Sequence, residues 1–88
     1  MLTKKYLAVV TILVKDRQNN VGEVNELLTE NGHLIMARLG VNVERSCIKN
    51  CTGLIAIAVE GKASQINDLT KKLNALYGIV AKKSIMTE

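Results

Sequence analysis

Aromatic side chains are almost missing from this 88-residue chain, which has no Trp or Phe and only two tyrosines, Tyr6 and Tyr77. The hydrophobic share of 48% must therefore come mainly from Val, Ile, Leu, Ala and Met, and the core they build is aliphatic and lean. Base-stacking platforms need exposed aromatics on strands or in grooves, so nucleic-acid recognition of that kind is excluded. Histidine occurs once, as His33 beside Gly32. Acid–base and nucleophilic catalysis require His, Cys or carboxylates gathered with a partner that tunes them. No such grouping occurs, and the expectation is a protein that is not an enzyme and carries no cofactor. Long apolar runs are lacking too: Tyr6 to Val14 is too short to span a bilayer and is not followed by a small-residue cleavage site. A cytoplasmic location without a membrane partner follows as the expectation. In such a reducing compartment two cysteines, Cys47 and Cys51, do not make a disulfide framework.

Twelve basic residues against eight acidic ones give a net charge of +4, but they are scattered from Lys4 to Lys83 in runs no longer than two. A nucleic-acid footprint would be a clustered stripe, so no direct nucleic-acid binding is expected. At this length the chain has room for one domain, 1–88. So small a domain has a thin stability margin that self-association commonly supplements.

The pattern that is present is βαββαβ. Tyr6-Leu-Ala-Val-Val-Thr-Ile-Leu-Val14 is β-rich and nearly continuous in apolar residues, as in a strand buried on both faces. Asn20 with Glu23 predicts a helix start with reciprocal capping. Val21, Val24, Leu27 and Leu28 then recur at helical spacing, opposite Glu23, Glu26 and Glu30, until Gly32 ends the helix. Leu34 to Val43 reads as a second strand, with Ile35, Ala37, Leu39, Val41 and Val43 on one face and Arg38, Gly40 and Asn42 on the other. Leu54 to Val59 is a third strand. A second helix starts after Gly61 and Ser64, with Ile66, Leu69, Leu73 and Leu76 inward and Lys71 and Lys72 near its end. Gly78 stops it, and Ile79 to Met86 is a fourth strand.

Right-handed crossovers put strands one and three in the centre of a four-stranded antiparallel sheet with both helices on one face, an α+β ferredoxin-like sandwich. Two helices cover one sheet face only, yet the central strands offer apolar rows to both: Ala8, Val10 and Ile12 against Leu7, Val9 and Leu13, and Leu54, Ala56 and Ala58 against Ile55, Ile57 and Val59. An uncovered apolar sheet marks an interface, so the expected partner is a second copy of the chain, in a homo-oligomer that is a dimer or tetramer.

The fold serves many functions, so the site is read separately. The loop after strand one, Lys15-Asp-Arg-Gln-Asn19, holds neither the CxxC of ferredoxin-like metallochaperones nor the glycine-rich anion cradle of acylphosphatase-like enzymes. Cys47-Ile-Lys-Asn-Cys51 lies in the connection between strands two and three, near Arg45 and Lys49. The alternative to an effector module is a thiol-based metal-binding or redox protein centred on Cys47 and Cys51. Tetrahedral zinc would need two ligands more than these thiols, which two copies of the chain could supply.

Two stretches carry a resemblance. Asp16-Arg17, followed by a helix with Val24, Leu27 and Leu28, resembles the start of an ACT domain, with Gln18-Asn19 where that domain has Pro-Gly. Over nearly the whole chain, Arg38-Leu-Gly-Val41, Leu54-Ile-Ala-Ile-Ala-Val-Glu-Gly61, Ile66-x-x-Leu69-Thr-x-Lys-Leu73 and Leu76-x-Gly-Ile-Val80 are similar in order to the iron-only hydrogenase system regulators. That small family has an ACT-like or nickel-regulator-C-terminal-like ferredoxin fold. The resemblance implies a regulatory role connected with an iron-only hydrogenase system, and the expectation is a non-enzymatic regulatory module with a small-molecule effector site at or near an oligomer interface. The candidate effector residues are Asp16, Arg17, Asn19 and Asn20 after strand one, and Arg38 and Gly40 on strand two.

Overall fold

The computed structural model describes residues 4–43 and 51–87. Nine residues, Tyr6–Val14, form β1, and α1 (Arg17–Glu30) follows after two. A 3-10 turn at Gly32–Leu34 leads into β2 (Ile35–Asn42), then come β3 (Gly53–Gly61), α2 (Ala63–Asn74) and β4 (Ile79–Ile85). The sheet order is β2-β3-β1-β4, and every neighbouring pair is antiparallel. The centre is thus β1 and β3, as the right-handed crossovers predict.

Side chains paired across neighbouring strands share a face. Val10 pairs with Ile57, Ile12 with Ile55 and Ala8 with Val59, and on the other side Ile12 pairs with Ala81 and Val14 with Ile79. All these residues are buried, together with Val24 and Leu28 of α1 and Ile66, Leu69 and Leu73 of α2, in one cluster. The clean three- and four-residue spacing of Ile66, Leu69 and Leu73 explains why α2 lies flat on the sheet.

The opposite face has no helix over it. Its rows are Leu7, Val9, Thr11 and Leu13 of β1, Leu54, Ala56 and Ala58 of β3, Leu39 and Val41 of β2 and Val80 of β4. Leu7, Leu39, Val41, Leu54 and Val80 are exposed, and Val9, Leu13, Ala56 and Ala58 are half-buried. The expectation that the central strands are buried on both faces is therefore corrected: within one copy only the helix-side row is buried. Charge on the open face sits toward its margins, as Glu60 opposite Leu7 and Lys82 opposite Thr11.

Both helices differ from expectation at their ends: α2 opens at Ala63, before Ser64, and closes at Asn74, ahead of Gly78. Asn20 is not the cap of α1, because the helix opens three residues earlier, after Asp16. Nor does Gly32 end it: Asn31 follows the last helical residue, and its Nδ2 donates to the Leu27 carbonyl at 2.9 Å while Gly32 opens the next turn. His33 is an exposed residue of that turn. At the other end of the molecule, the Asn74 amide acts as a one-residue strand against the free edge of β4. Its Nδ2 donates to the Ala81 carbonyl at 2.9 Å, and its Oδ1 accepts the Ala81 N–H at 2.7 Å. Among the described residues, no helix is long and apolar enough to cross a membrane.

Candidate functional site

Where β1 hands over to α1, Asp16 takes the left-handed conformation, with φ 49° and ψ 61°. Asp and Asn enter that region more readily than other side chains because they can hydrogen-bond locally. The Asp16 Oδ2 accepts a bond from Asn19 Nδ2 at 2.8 Å, and the Asp16 carbonyl accepts the N–H groups of Asn19 and Asn20 at 3.0 and 3.1 Å. Asn20 Nδ2 donates to the Lys15 carbonyl at 2.6 Å, while the Lys15 N–H donates to the Gly78 carbonyl at 2.9 Å. Three of the six expected effector residues, Asp16, Asn19 and Asn20, thus spend these polar groups on the turn itself.

That turn delivers Arg17 onto β3. Its N–H donates to the Cys51 carbonyl at 2.6 Å. Beside it the Gln18 amide holds Cys51 twice, accepting the Cys51 N–H and donating to its sulfur, both at 3.2 Å. The aliphatic stem of Arg17 crosses Gly53 so closely that a Cβ there would lie 2.7 Å from its Cδ. Glycine is needed at 53 to seat the arginine. The Arg17 Nε is buried and has no hydrogen-bond partner among the described residues, although a buried N–H ordinarily finds one.

Arg38 comes from the helix-side row of β2, and its Nη2 donates to Asn25 Oδ1 of α1 at 2.6 Å. Two residues on, Gly40 pairs with Ile55. A Cβ at Gly40 would meet only Ile55 Cγ1, at 3.9 Å, an ordinary contact. The irregularity in β2 lies between Ile35 and Ala37, so Gly40 supports no bulge. The protein's own packing does not demand glycine at this position.

Arg17, Arg38 and Gly40 border one cavity of about 320 Å³, which is closed by Val14, Val21, Val41, Gly53, Leu54 and Ile55. No carboxylate stands among these lining residues, and among the described residues neither arginine is in an ion pair. The cavity therefore has a cationic rim and a wall in which Val14 and Ile55 are already buried against the core. Val41 and Leu54, opposite each other on β2 and β3, belong both to this wall and to the open sheet face. Sequence reasoning named the two arginines and Gly40 but missed Val14, Val21, Gly53 and Ile55. The signal for Gly53 was a glycine opening an otherwise apolar strand.

Cys51 is buried and disulfide-bonded, where a reducing compartment led us to expect thiols. Cys47 lies outside the described residues. Among the described residues, no group of three or more His, Cys, Asp or Glu side chains could hold a metal ion.

No match was found among curated proteins. Among solved structures, the uncharacterized protein TM1266 from Thermotoga maritima superposes at a TM-score of 0.84 with 26% identity, over 96% of this chain and 100% of that one. The divalent ion tolerance protein CutA1 from Ehrlichia chaffeensis superposes at 0.52 with 12% identity, over 98% of this chain and 86% of that one, a likeness of fold alone. The family model "TM1266-like: Iron-only hydrogenase system regulator, putative" matches residues 6–83, which is most of the chain, and the chain belongs to that family.

Proposed function

We propose that this chain is a non-enzymatic regulatory module connected with an iron-only hydrogenase system, binding a small-molecule effector in the Arg17–Arg38 cavity and pairing with a second copy through its open sheet face. The observation that carries this proposal is the convergence of Arg17 from α1 with Arg38 and Gly40 from β2 on one cavity whose wall continues into that face. An occupant pressing on Val41 and Leu54 acts on residues that a second copy would cover. Effector binding and self-association are then thermodynamically linked, and each changes the other by the same factor. A disulfide-bonded Cys51 offers no thiolate to a metal, so it favours the redox form of the alternative over the metal-binding form.

The test is a thermal-shift screen of the full chain against amino acids, organic acids and nucleotides. Binding to the native state raises the unfolding temperature. The expected result is at least one compound whose shift is lost in Arg38→Gln and whose presence changes the sedimentation coefficient. A set of compounds that stabilise both proteins equally would overturn the proposed site.

A further inference from the structure

We infer that the Arg17–Arg38 cavity takes a compact, doubly charged oxyanion of the phosphate class, either free or as the phosphoryl end of a small ester. The inference rests on the effector site proposed above and names the chemical class that this site recognises.

Charge sets the sign and the number. Two arginines border one space, no carboxylate stands among its described lining residues, and the ion pair among the described residues is elsewhere, between Lys72 and Asp68 of α2. Arginine stays charged at any working pH, and its fork of N–H groups matches the oxygens of an oxyanion. An occupant with two negative charges answers both guanidinium groups, where a monoanion answers one. Both arginines are held before anything binds. Arg38 is anchored by the bond from its Nη2 to Asn25 Oδ1, which takes one of the five N–H groups of a guanidinium. Arg17 is pinned by its stem across Gly53 with its Nε buried, so its charge reaches an occupant only through its Nη groups. The wall then sets the polarity. Val14 and Ile55 are already buried in the core, and what remains accessible is more polar than apolar. Recognition therefore rests on charge, with little for a hydrocarbon body to cover.

Gly40 supplies the second argument. Glycine weakens a strand interior, and there it often marks a close approach of a ligand to the backbone. A Cβ at Gly40 would meet only Ile55 Cγ1, at 3.9 Å, so packing within the chain does not call for this glycine. The room it leaves belongs to the cavity that the two arginines border.

Isothermal titration of the full chain, in a chloride buffer free of other oxyanions, tests this with inorganic phosphate, sulfate, glycerol 3-phosphate and acetate. The expected result is that the three dianions bind at least about ten-fold tighter than acetate, the value of one charge-assisted hydrogen bond. Their affinity should fall as salt is raised. The tighter of phosphate and glycerol 3-phosphate identifies the free anion or the ester as the source. Arg38→Gln weakens all three about ten-fold, and Gly40→Asp, which sets a carboxylate in the cavity, abolishes their binding. Should Gly40→Asp unfold early, Arg38→Gln at an exposed position still decides. Acetate as tight as phosphate and sulfate, or no heat from any of the four at millimolar concentration, would overturn the oxyanion assignment. In that case a neutral compound whose thermal shift is lost in Arg38→Gln leaves the effector site standing without its anion. Dianion binding unchanged in both variants lies outside this cavity and would overturn the inference as well.

Discussion

Ala56 lies at the middle of the open sheet face, opposite Thr11 on one side and Leu39 on the other. In a single copy its side chain is half-buried and points away from the core, so Ala56→Glu puts a carboxylate into solvent and leaves the fold intact. In a pair of copies joined through this face, the same carboxylate would be buried near its counterpart. The exposed fractions of Leu7, Leu39, Val41, Leu54 and Val80 are 38, 67, 50, 38 and 40%. Together they amount to a little over two whole apolar side chains per copy, or about 3–7 kcal/mol if fully covered. Two copies double that gain, and the half-buried Val9, Leu13, Ala56 and Ala58 add to it, against a cost of association of about 4–15 kcal/mol. Desolvating an unpaired carboxylate costs several kcal/mol, and a loss of only about 3 kcal/mol weakens association roughly a hundred-fold. Sedimentation velocity at roughly 10 µM should show the unmodified chain as an oligomer and Ala56→Glu as a monomer with an unchanged circular dichroism spectrum. A monomeric unmodified chain, or an Ala56→Glu variant that sediments as before, would refute the argument from the uncovered face.

Three further outcomes follow from single residues. Gly78 has φ +75°, and a Cβ there would lie 2.6 Å from Asn20 Nδ2. Gly78→Ala should therefore cost about 1–2 kcal/mol from the left-handed conformation alone, lowering the unfolding temperature by roughly 4–15 °C. Asn74→Ala removes both bonds to Ala81. At about 0.5–1.5 kcal/mol each the loss should appear in urea melts as a lower midpoint with an unchanged slope, and hydrogen exchange at Ala81 should quicken. Gly53→Ala forces the Arg17 stem off β3. Because a flexible side chain can swing away, the melting temperature should barely move, while effector affinity falls at least as far as it does in Arg38→Gln.

The runs and spacings of small aliphatic residues determined most of this architecture before any contact was known. The strand pleat sorts the near-continuous apolar residues of Tyr6–Val14 and Gly53–Gly61 onto two faces, and the spacing of Ile66, Leu69 and Leu73 admits one helix orientation. These are local regularities, and right-handed crossovers convert them into the sheet order β2-β3-β1-β4 with little freedom left. Arg38 and Gly40 were also legible, through family motifs on a strand.

Tertiary structure decided the rest, because it depends on partners far along the chain. Asn20 has the chemistry of a cap, but the Lys15 carbonyl claims its amide and Asp16 turns the chain instead, so α1 starts at Arg17. Nothing local says that Arg17 will lie across a glycine 36 positions later, or that Gln18 will clasp the backbone and sulfur of Cys51. The conjunction of Arg17 with Arg38 exists only because α1 packs over the edge where β2 meets β3. Sequence supplied two cations and an apolar strand pattern, and the crossing of a helix over a sheet edge made them the border of one cavity.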